Sequence, residues 1–206
     1  MSLVRPWGPF SCALAAAFAA AVLFASATAS AATARFSYGR LEFEPCTLAA
    51  AGQSVTVAAR CARLSVPEDP QRPTARSIEL AIAWVPGGAK RPAPDPVVLL
   101  AGGPGQAALE AYPLAAPAFR NVLRRRDVIL VDQRGTGGSH PLDCPATMRQ
   151  AVGASTASLD AGAAKVLARD CLTELRDADP RFYTTGAYVG DLERVREALG
   201  VGQWNL

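Results

Sequence analysis

The spacing of apolar residues changes character along the chain. Near the start it alternates. Arg35–Glu44 (RFSYGRLEFE) and Ser54–Leu64 (SVTVAARCARL) each predict a strand with one buried face. The small residues of Cys46–Gln53 predict the turn between them. Pro67–Pro73 (PEDPQRP) reads as a rigid polar connection that neither a helix nor a central strand accommodates. Ser77–Trp84 (SIELAIAW) alternates again and predicts a third strand, followed by an exposed turn at Gly87–Pro96. Two continuous apolar runs come next, Val97–Leu100 (VVLL) and Val128–Val131 (VILV). Runs of this kind suit strands covered on both faces, as in a parallel sheet.

Helical spacing appears between and after those runs. Ala118–Arg126 (AFRNVLRRR) predicts a helix, and Pro117 suits its first turn. Strand, crossover helix and strand make a βαβ unit. Ala161–Arg176 predicts a second helix, with Ala163, Val166, Leu167, Cys171 and Leu175 on one face. Gly190–Leu199 (GDLERVREAL) predicts a third, with Asp191 as N-cap and Gly200 as its stop. Val201–Leu206 heads back toward the sheet. An antiparallel opening followed by βαβ units indicates the α/β class. The same opening disfavours a plain dinucleotide-binding fold, and Ala101–Gln106 (AGGPGQ) is not the GxGxxG fingerprint.

Composition adds compartment rather than chemistry. The 206 residues are half apolar and carry a formal charge of +3. The one tight basic run, Arg124–Arg126, reads as a solvated helix end, and nothing else points to nucleic acid. Residues 1–31 have the three-part layout of a secretory signal peptide: Arg5, the apolar run Cys12–Phe24, then small residues in which Ala27–Ala29 and Ala29–Ala31 both fit an A-x-A cleavage site. The apolar run is short for a membrane span of about 20 residues. The expected mature domain is therefore residues 32–206, exported to a periplasmic or extracellular location, with no stable membrane anchor after cleavage. Four cysteines remain there, an even number, which suits disulfides in an exported chain. They allow three connectivities. Cys46–Cys61 and Cys144–Cys171 are favoured, the first across a hairpin and the second across the excursion after the second apolar run. Four unpaired thiols are the alternative. With no CxxC pair and His140 as the only histidine, no metal site is expected.

Candidate chemistry sits in two loops, each following a buried strand. In Ala101–Gly105 (AGGPG), glycines let backbone N–H groups approach a substrate closely, as stabilisation of a developing oxyanion requires. Pro104 has no N–H, so Gly103, or else Gly102, is the expected donor. A tight turn without chemistry is the alternative for this loop alone. In Asp132–Ser139 (DQRGTGGS), Asp132 and Arg134 are expected to pair and support the turn without being catalytic. Ser139-His140 is not a credible dyad, because adjacent loop residues rarely align for proton transfer. Cys144 is better explained by a disulfide than as a nucleophile. Asp191 and Glu193 read as a cap and a solvated face. Trp84, Phe119, Tyr183, Tyr188 and Trp204 read as core.

The two loops in this order, LLAGGPGQ then VILVDQRGTGGS, resemble the proline iminopeptidase and tripeptidyl aminopeptidase family of exported α/β-hydrolases. The likeness runs from about Phe36 and continues through Gly190–Leu206 (GDLERVREALGVGQWNL), which is similar to the helix and strand leading into that family's nucleophile elbow. Many relatives have His where Ala101 stands; the glycines are kept. The resemblance implies the N-terminal portion of an α/β-hydrolase fold, antiparallel first and then parallel, cut before the elbow. It implies a catalytic Ser, acid and His beyond Leu206, in that order, and no cofactor. It implies a complete protein that releases N-terminal residues or short peptides from peptide or small amide substrates, while the present chain alone is expected to be inactive. An esterase on the same fold is the first alternative. A non-catalytic exported binding protein is the second. Nothing in the sequence fixes an oligomeric state.

Overall fold

A computed structural model describes residues 34–103, 105–153 and 160–206. The expected signal peptide and Pro104 lie outside these residues. The strands are β1 (Phe36–Tyr38), β2 (Leu41–Ala49), β3 (Thr56–Pro67), β4 (Ser77–Val85), β5 (Val97–Leu99) and β6 (Val128–Val131). The helices are α1 (Ala108–Ala115), α2 (Pro145–Gly153), α3 (Ala161–Glu174) and α4 (Thr185–Leu199), with 3-10 turns at Ala116–Arg120 and Pro180–Phe182.

The strands form one mixed sheet in the order β1-β2-β3-β4-β6-β5. Neighbours are antiparallel from β1 to β4 and again between β4 and β6, whereas β5 and β6 are parallel. On the free side of β5, Val98 N–H donates to the Asn205 carbonyl (2.8 Å) and Asn205 N–H to the Pro96 carbonyl (2.9 Å). That parallel bridge, Val97 to Asn205, starts the next strand. The chain thus moves from β5 to β6 on one side, then returns to the other side of β5.

Period two sorts β6 between two cores. Val128 and Leu130 pack with Ala108 and Tyr112 of α1. Ile129 and Val131 pack with Tyr188, Leu192 and Val195 of α4. All four β6 residues are fully buried, which is why the run VILV shows no alternation.

The departures from the sequence pattern have local causes. The first predicted strand is two strands, because Gly39 adopts φ +60 and turns the chain. A Cβ there would lie 2.4 Å from the Ala198 carbonyl oxygen, so the turn docks where only glycine fits. Arg40 N–H donates to that same carbonyl (2.7 Å). The predicted turn at Cys46–Gln53 is shorter: β2 continues to Ala49, Cys46 opposite Ala59. The crossover helix is α1, ahead of the predicted Ala118–Arg126, where a 3-10 turn gives way to isolated turns. Pro113 inside α1 hid it; the missing N–H costs that helix a single bond, to Leu109. α3 matches its prediction within two residues, yet none of its residues is buried, and Ala163 and Val166 are exposed. α4 begins at Thr185, five residues before the predicted Gly190, capped by the Thr184 hydroxyl, which accepts from Ala187 N–H (3.2 Å).

Both disulfides are formed. Cys46–Cys61 crosses the β2–β3 hairpin with Cα atoms 5.8 Å apart. Cys144–Cys171 ties the entry of α2 to α3 with Cα atoms 5.2 Å apart. Beside it, the Glu174 carboxylate accepts from the N–H groups of Ala146 (3.1 Å) and Thr147 (2.7 Å), capping α2 in place of a local residue.

Replacing Cys46 and Cys61 together by Ala opens a loop spanning 15 positions. It is expected to lower unfolding free energy by about 3 kcal/mol. Urea titrations with and without reductant check this: reductant should destabilise the wild type and leave the variant's loss at this bridge unchanged.

Candidate active site

Both glycine loops leave the carboxyl ends of adjacent parallel strands, β5 and β6. In open α/β sheets ligands bind at that end, where successive crossovers diverge. The crossovers diverge here around β5, between β6 and the segment at Asn205.

The first loop turns at Gly103, with φ +77 and its carbonyl accepting from Gln106 N–H (3.2 Å). Only glycine holds that dihedral without strain. Gly102 and Gly103 are exposed, and a Cβ on either would meet nothing within 4 Å. Among the described residues neither of their N–H groups donates within the chain. The loop is therefore open on the side a substrate would approach.

α1 starts directly after this loop without a cap of its own, since Ala107 has no side-chain acceptor. Asp132, at the end of β6, supplies it. One Asp132 oxygen accepts from Leu109 N–H (2.8 Å), and the other from Gly138 N–H (2.9 Å) in its own loop. A single buried carboxylate thus fastens the two loops together and sits at the positive end of α1. Burial pushes its carboxyl pKa above the ordinary value, outweighing the N–H groups of Leu109, Gly138 and Ala108, which hold it down.

Arg134 does not pair with Asp132 as the sequence suggested. It is fully buried and bidentate to Asp191 of α4, through Nε (2.6 Å) and Nη2 (2.7 Å). Nη1 donates to the carbonyls of Glu68 (2.8 Å) and Phe182 (2.9 Å), and Nη2 also to Pro67 (3.4 Å). All five guanidinium donors are engaged. Asp191 is correspondingly a buried ion-pair partner and not the N-cap of α4; Glu193, on the exposed side, pairs with Arg196. Glu68, also buried, accepts from Asp179 N–H (2.8 Å) and the Tyr183 hydroxyl (3.2 Å), adding a second tie to the same corner. Sequence reasoning missed Asp191 and Glu68. For Asp191 a signal existed: it falls on the stripe Tyr188, Leu192, Val195, Leu199, where a solvated carboxylate does not belong.

The other candidates separate. The buried Ser139 hydroxyl accepts from Ala81 N–H (2.9 Å) in β4. His140, at φ +52, lies 3.3 Å from the Asp177 carbonyl. The two side chains have different partners and form no dyad. Cys144 is held in its disulfide. A cavity of about 610 Å³ opens beside the second loop, with Leu48, Ile82 and Leu109 on its walls and Glu42, Glu44, Glu110, Arg63 and Asp132 among its polar lining. Gly102 and Gly103 do not line it, so it adjoins the loop pair without containing it. Among the described residues no group of three or more His, Cys, Asp or Glu could hold a metal ion, and no helix is long and apolar enough to cross a membrane.

Comparison with known proteins agrees with this geometry. Residues 95–206, just over half of the chain, match the family model described as the alpha/beta hydrolase fold. Two Mycobacterium tuberculosis proteins named carboxylesterase B, from different strains, are each 36% identical over 85 residues. A Mycobacterium bovis hydrolase shows the same identity over the same length. Each match covers 40% of this chain and only 16% of the relative.

Substituting Arg134 by Met leaves buried Asp191 with only the more distant Arg194 (3.9 Å) and is expected to cost about 3–5 kcal/mol. Adding Asp191→Leu should recover much of that loss, a coupling measurable as a double-mutant cycle in urea unfolding. Asp132 gives a pH signature. Its folded-state pKa is raised, so its contribution to stability is full below the unfolded value of about 4 and is lost as pH rises through the folded value. Asp132→Asn should flatten that fall. It should also cost about 1–3 kcal/mol, because the amide can accept from only one of the two N–H groups. An unchanged pH slope would overturn the assignment.

Proposed function

Because the chain belongs to the alpha/beta hydrolase family, we propose that the complete protein is a serine hydrolase that releases N-terminal residues or short peptides from amide substrates. The observation that carries this reading is the clamp of two glycine loops at one end of β5 and β6, with a third parallel segment entering beside β5 at Asn205. A strand continuing past Leu206 in that direction emerges next to Gly102 and Gly103. A nucleophile turn at its end would face their open N–H groups, the arrangement that acyl transfer needs.

On this reading a serine hydroxyl attacks the substrate carbonyl while a histidine takes its proton. The tetrahedral oxyanion accepts from Gly103 N–H and from the N–H following the nucleophile. Collapse expels the amine, which takes the proton from histidine. Water then attacks the acyl carbonyl as histidine takes its proton, and collapse releases the acid while histidine returns that proton to the serine oxygen. Asp132 and Arg134 act only by holding the loops. Export and disulfide formation belong to the same reading, supported by the leader sequence and the two bridges.

A second reading, an esterase with the same machinery, is supported by the relatives named carboxylesterase B. The two differ in leaving group and in the need for a free amine. The complete protein should be assayed on aminoacyl and tripeptidyl p-nitroanilides, on their N-acetylated forms, and on short-chain p-nitrophenyl esters. Turnover of the free-amine anilides, lost on acetylation, supports the peptidase. Turnover of esters alone selects the esterase. Turnover of neither sinks both.

Gly103→Ala keeps the N–H but strains the turn at φ +77 and so shifts that donor, which is expected to lower kcat by about 10- to 100-fold with little change in KM. Its stability loss should stay near 1–2 kcal/mol, the cost of a side chain in the left-handed region. A variant with full kcat would show that the left-handed turn at Gly103 is not what aims the donor.

A further inference from the structure

At the opposite end of β5 and β6 from the glycine loops, the two stretches that precede these strands meet. Gly88 N–H donates to the Leu123 carbonyl (2.7 Å) and Ala93 N–H to the Arg125 carbonyl (2.8 Å). This contact brings Lys90 and Arg91 beside Arg124 and Arg125, with Arg120 about one turn earlier. All five side chains are exposed, and none makes an ion pair among the described residues. Residues 86–94 and 114–126 contain no Asp or Glu. The carboxylates that follow them are occupied: Asp95 pairs with Arg126 (2.9 Å), and buried Asp127 accepts from Gly87 N–H (2.7 Å). Two hollows, of about 420 and 570 Å³, open along Arg120, Asn121, Arg124 and Arg125.

We propose that this face docks the protein reversibly on an anionic phospholipid surface, the arginines holding headgroup phosphates. Guanidinium groups grip phosphate oxygens in pairs, and the hollows, which share Asn121 and Arg124, leave those groups open to a headgroup. Nucleic acid would add base stacking on aromatic faces. The one aromatic in these stretches, Phe119, instead packs edge-on against Tyr112 with centroids 5.4 Å apart. The orientation is also set by charge. The cavity at the far end carries Glu42, Glu44, Glu110 and Asp132 against Arg35 and Arg63, so an anionic surface is drawn more strongly to the basic end. Docking this way leaves the loop pair facing outward. The proposal is independent of the hydrolase reading.

The test is flotation of the full-length protein with vesicles of phosphatidylcholine alone and with about a third phosphatidylglycerol. Binding is expected only to the anionic vesicles and should weaken as salt is raised. Each basic residue near such a surface contributes about fivefold, so Arg120→Gln, Arg124→Gln and Arg125→Gln together should weaken binding about a hundredfold. The matching triple replacement by Lys keeps the charge but not the paired grip, so its binding should fall between wild type and the Gln variant. Turnover of soluble substrate by the Gln variant should equal wild type, which separates this test from any failure of the enzymatic reading. Absence of binding to anionic vesicles, equal binding to neutral ones, or equal binding by the Gln variant overturns the proposal. So does loss of binding to millimolar inorganic phosphate at constant ionic strength, which would mean a single-anion site.

Discussion

Arg134 is the point on which the carboxyl end of the sheet depends. Its charge lies out of water, and every donor it has must be met by protein. The acceptors come from the end of β3, the 3-10 turn at Pro180–Phe182 and the middle of α4. Those segments are far apart in sequence: Asp191 is 57 residues from Arg134, and Glu68 is 66. None can move without stranding a donor. The second glycine loop is therefore fixed by the requirement to satisfy one buried guanidinium, and its own turn propensity is secondary. Asp132 carries that rigidity across to α1 and so to the first loop. A buried ion pair is a weak source of net stability but a strong penalty when half of it is displaced. Here that penalty acts as a positional constraint.

The elements that sequence reveals well are those whose pattern comes from a single physical cause. VVLL and VILV are apolar because both sheet faces are covered, and both are strands, β6 within its predicted bounds and β5 one residue shorter. SIELAIAW alternates and is a strand as well. Elements shaped by several causes were misread. Arg35–Glu44 keeps its alternation through Gly39, so the break between β1 and β2 shows only in the contact of that glycine with Ala198. α1 contains proline and lacks a local cap, and it forms because Asp132 caps it from another strand and its own Tyr112 is buried against Val128 and Leu130. The cap comes from outside residues 106–126, so it leaves no mark in that window.

The candidate site divides along the same line. The glycine loops were legible, since close backbone approach and left-handed φ demand glycine at particular positions. Which side chains support them was only partly legible. The loop sequence marks Asp132 and Arg134 as support and suggests that they pair with each other, the nearest partners in the chain. The structure replaces that pairing with two long-range partnerships, Asp132 to α1 and Arg134 to α4. The placement of Asp191 on an apolar helical stripe was the one available clue. An N-cap at Asp191 is not needed, because Thr184 already caps α4.

The two loops also differ in how their order is maintained, and the difference fits their tasks. The second loop is buried in part and held by side chains on all sides, with Ser139 tied to β4, Asp132 to α1 and Arg134 to α4. The first has exposed glycines whose N–H groups make no bond within the chain among the described residues. A loop that must present free donors to a substrate cannot use those donors to stabilise itself. Its position has to be imposed from a neighbour, and the neighbour must be rigid. The carboxylate of Asp132 meets that need at the first turn of α1, two residues past Ala107, and its burial raises the cost of ionisation while keeping water from competing for the two N–H groups. The clamp that orders the loop is thus placed behind it, and the face toward the incoming strand at Asn205 is left open.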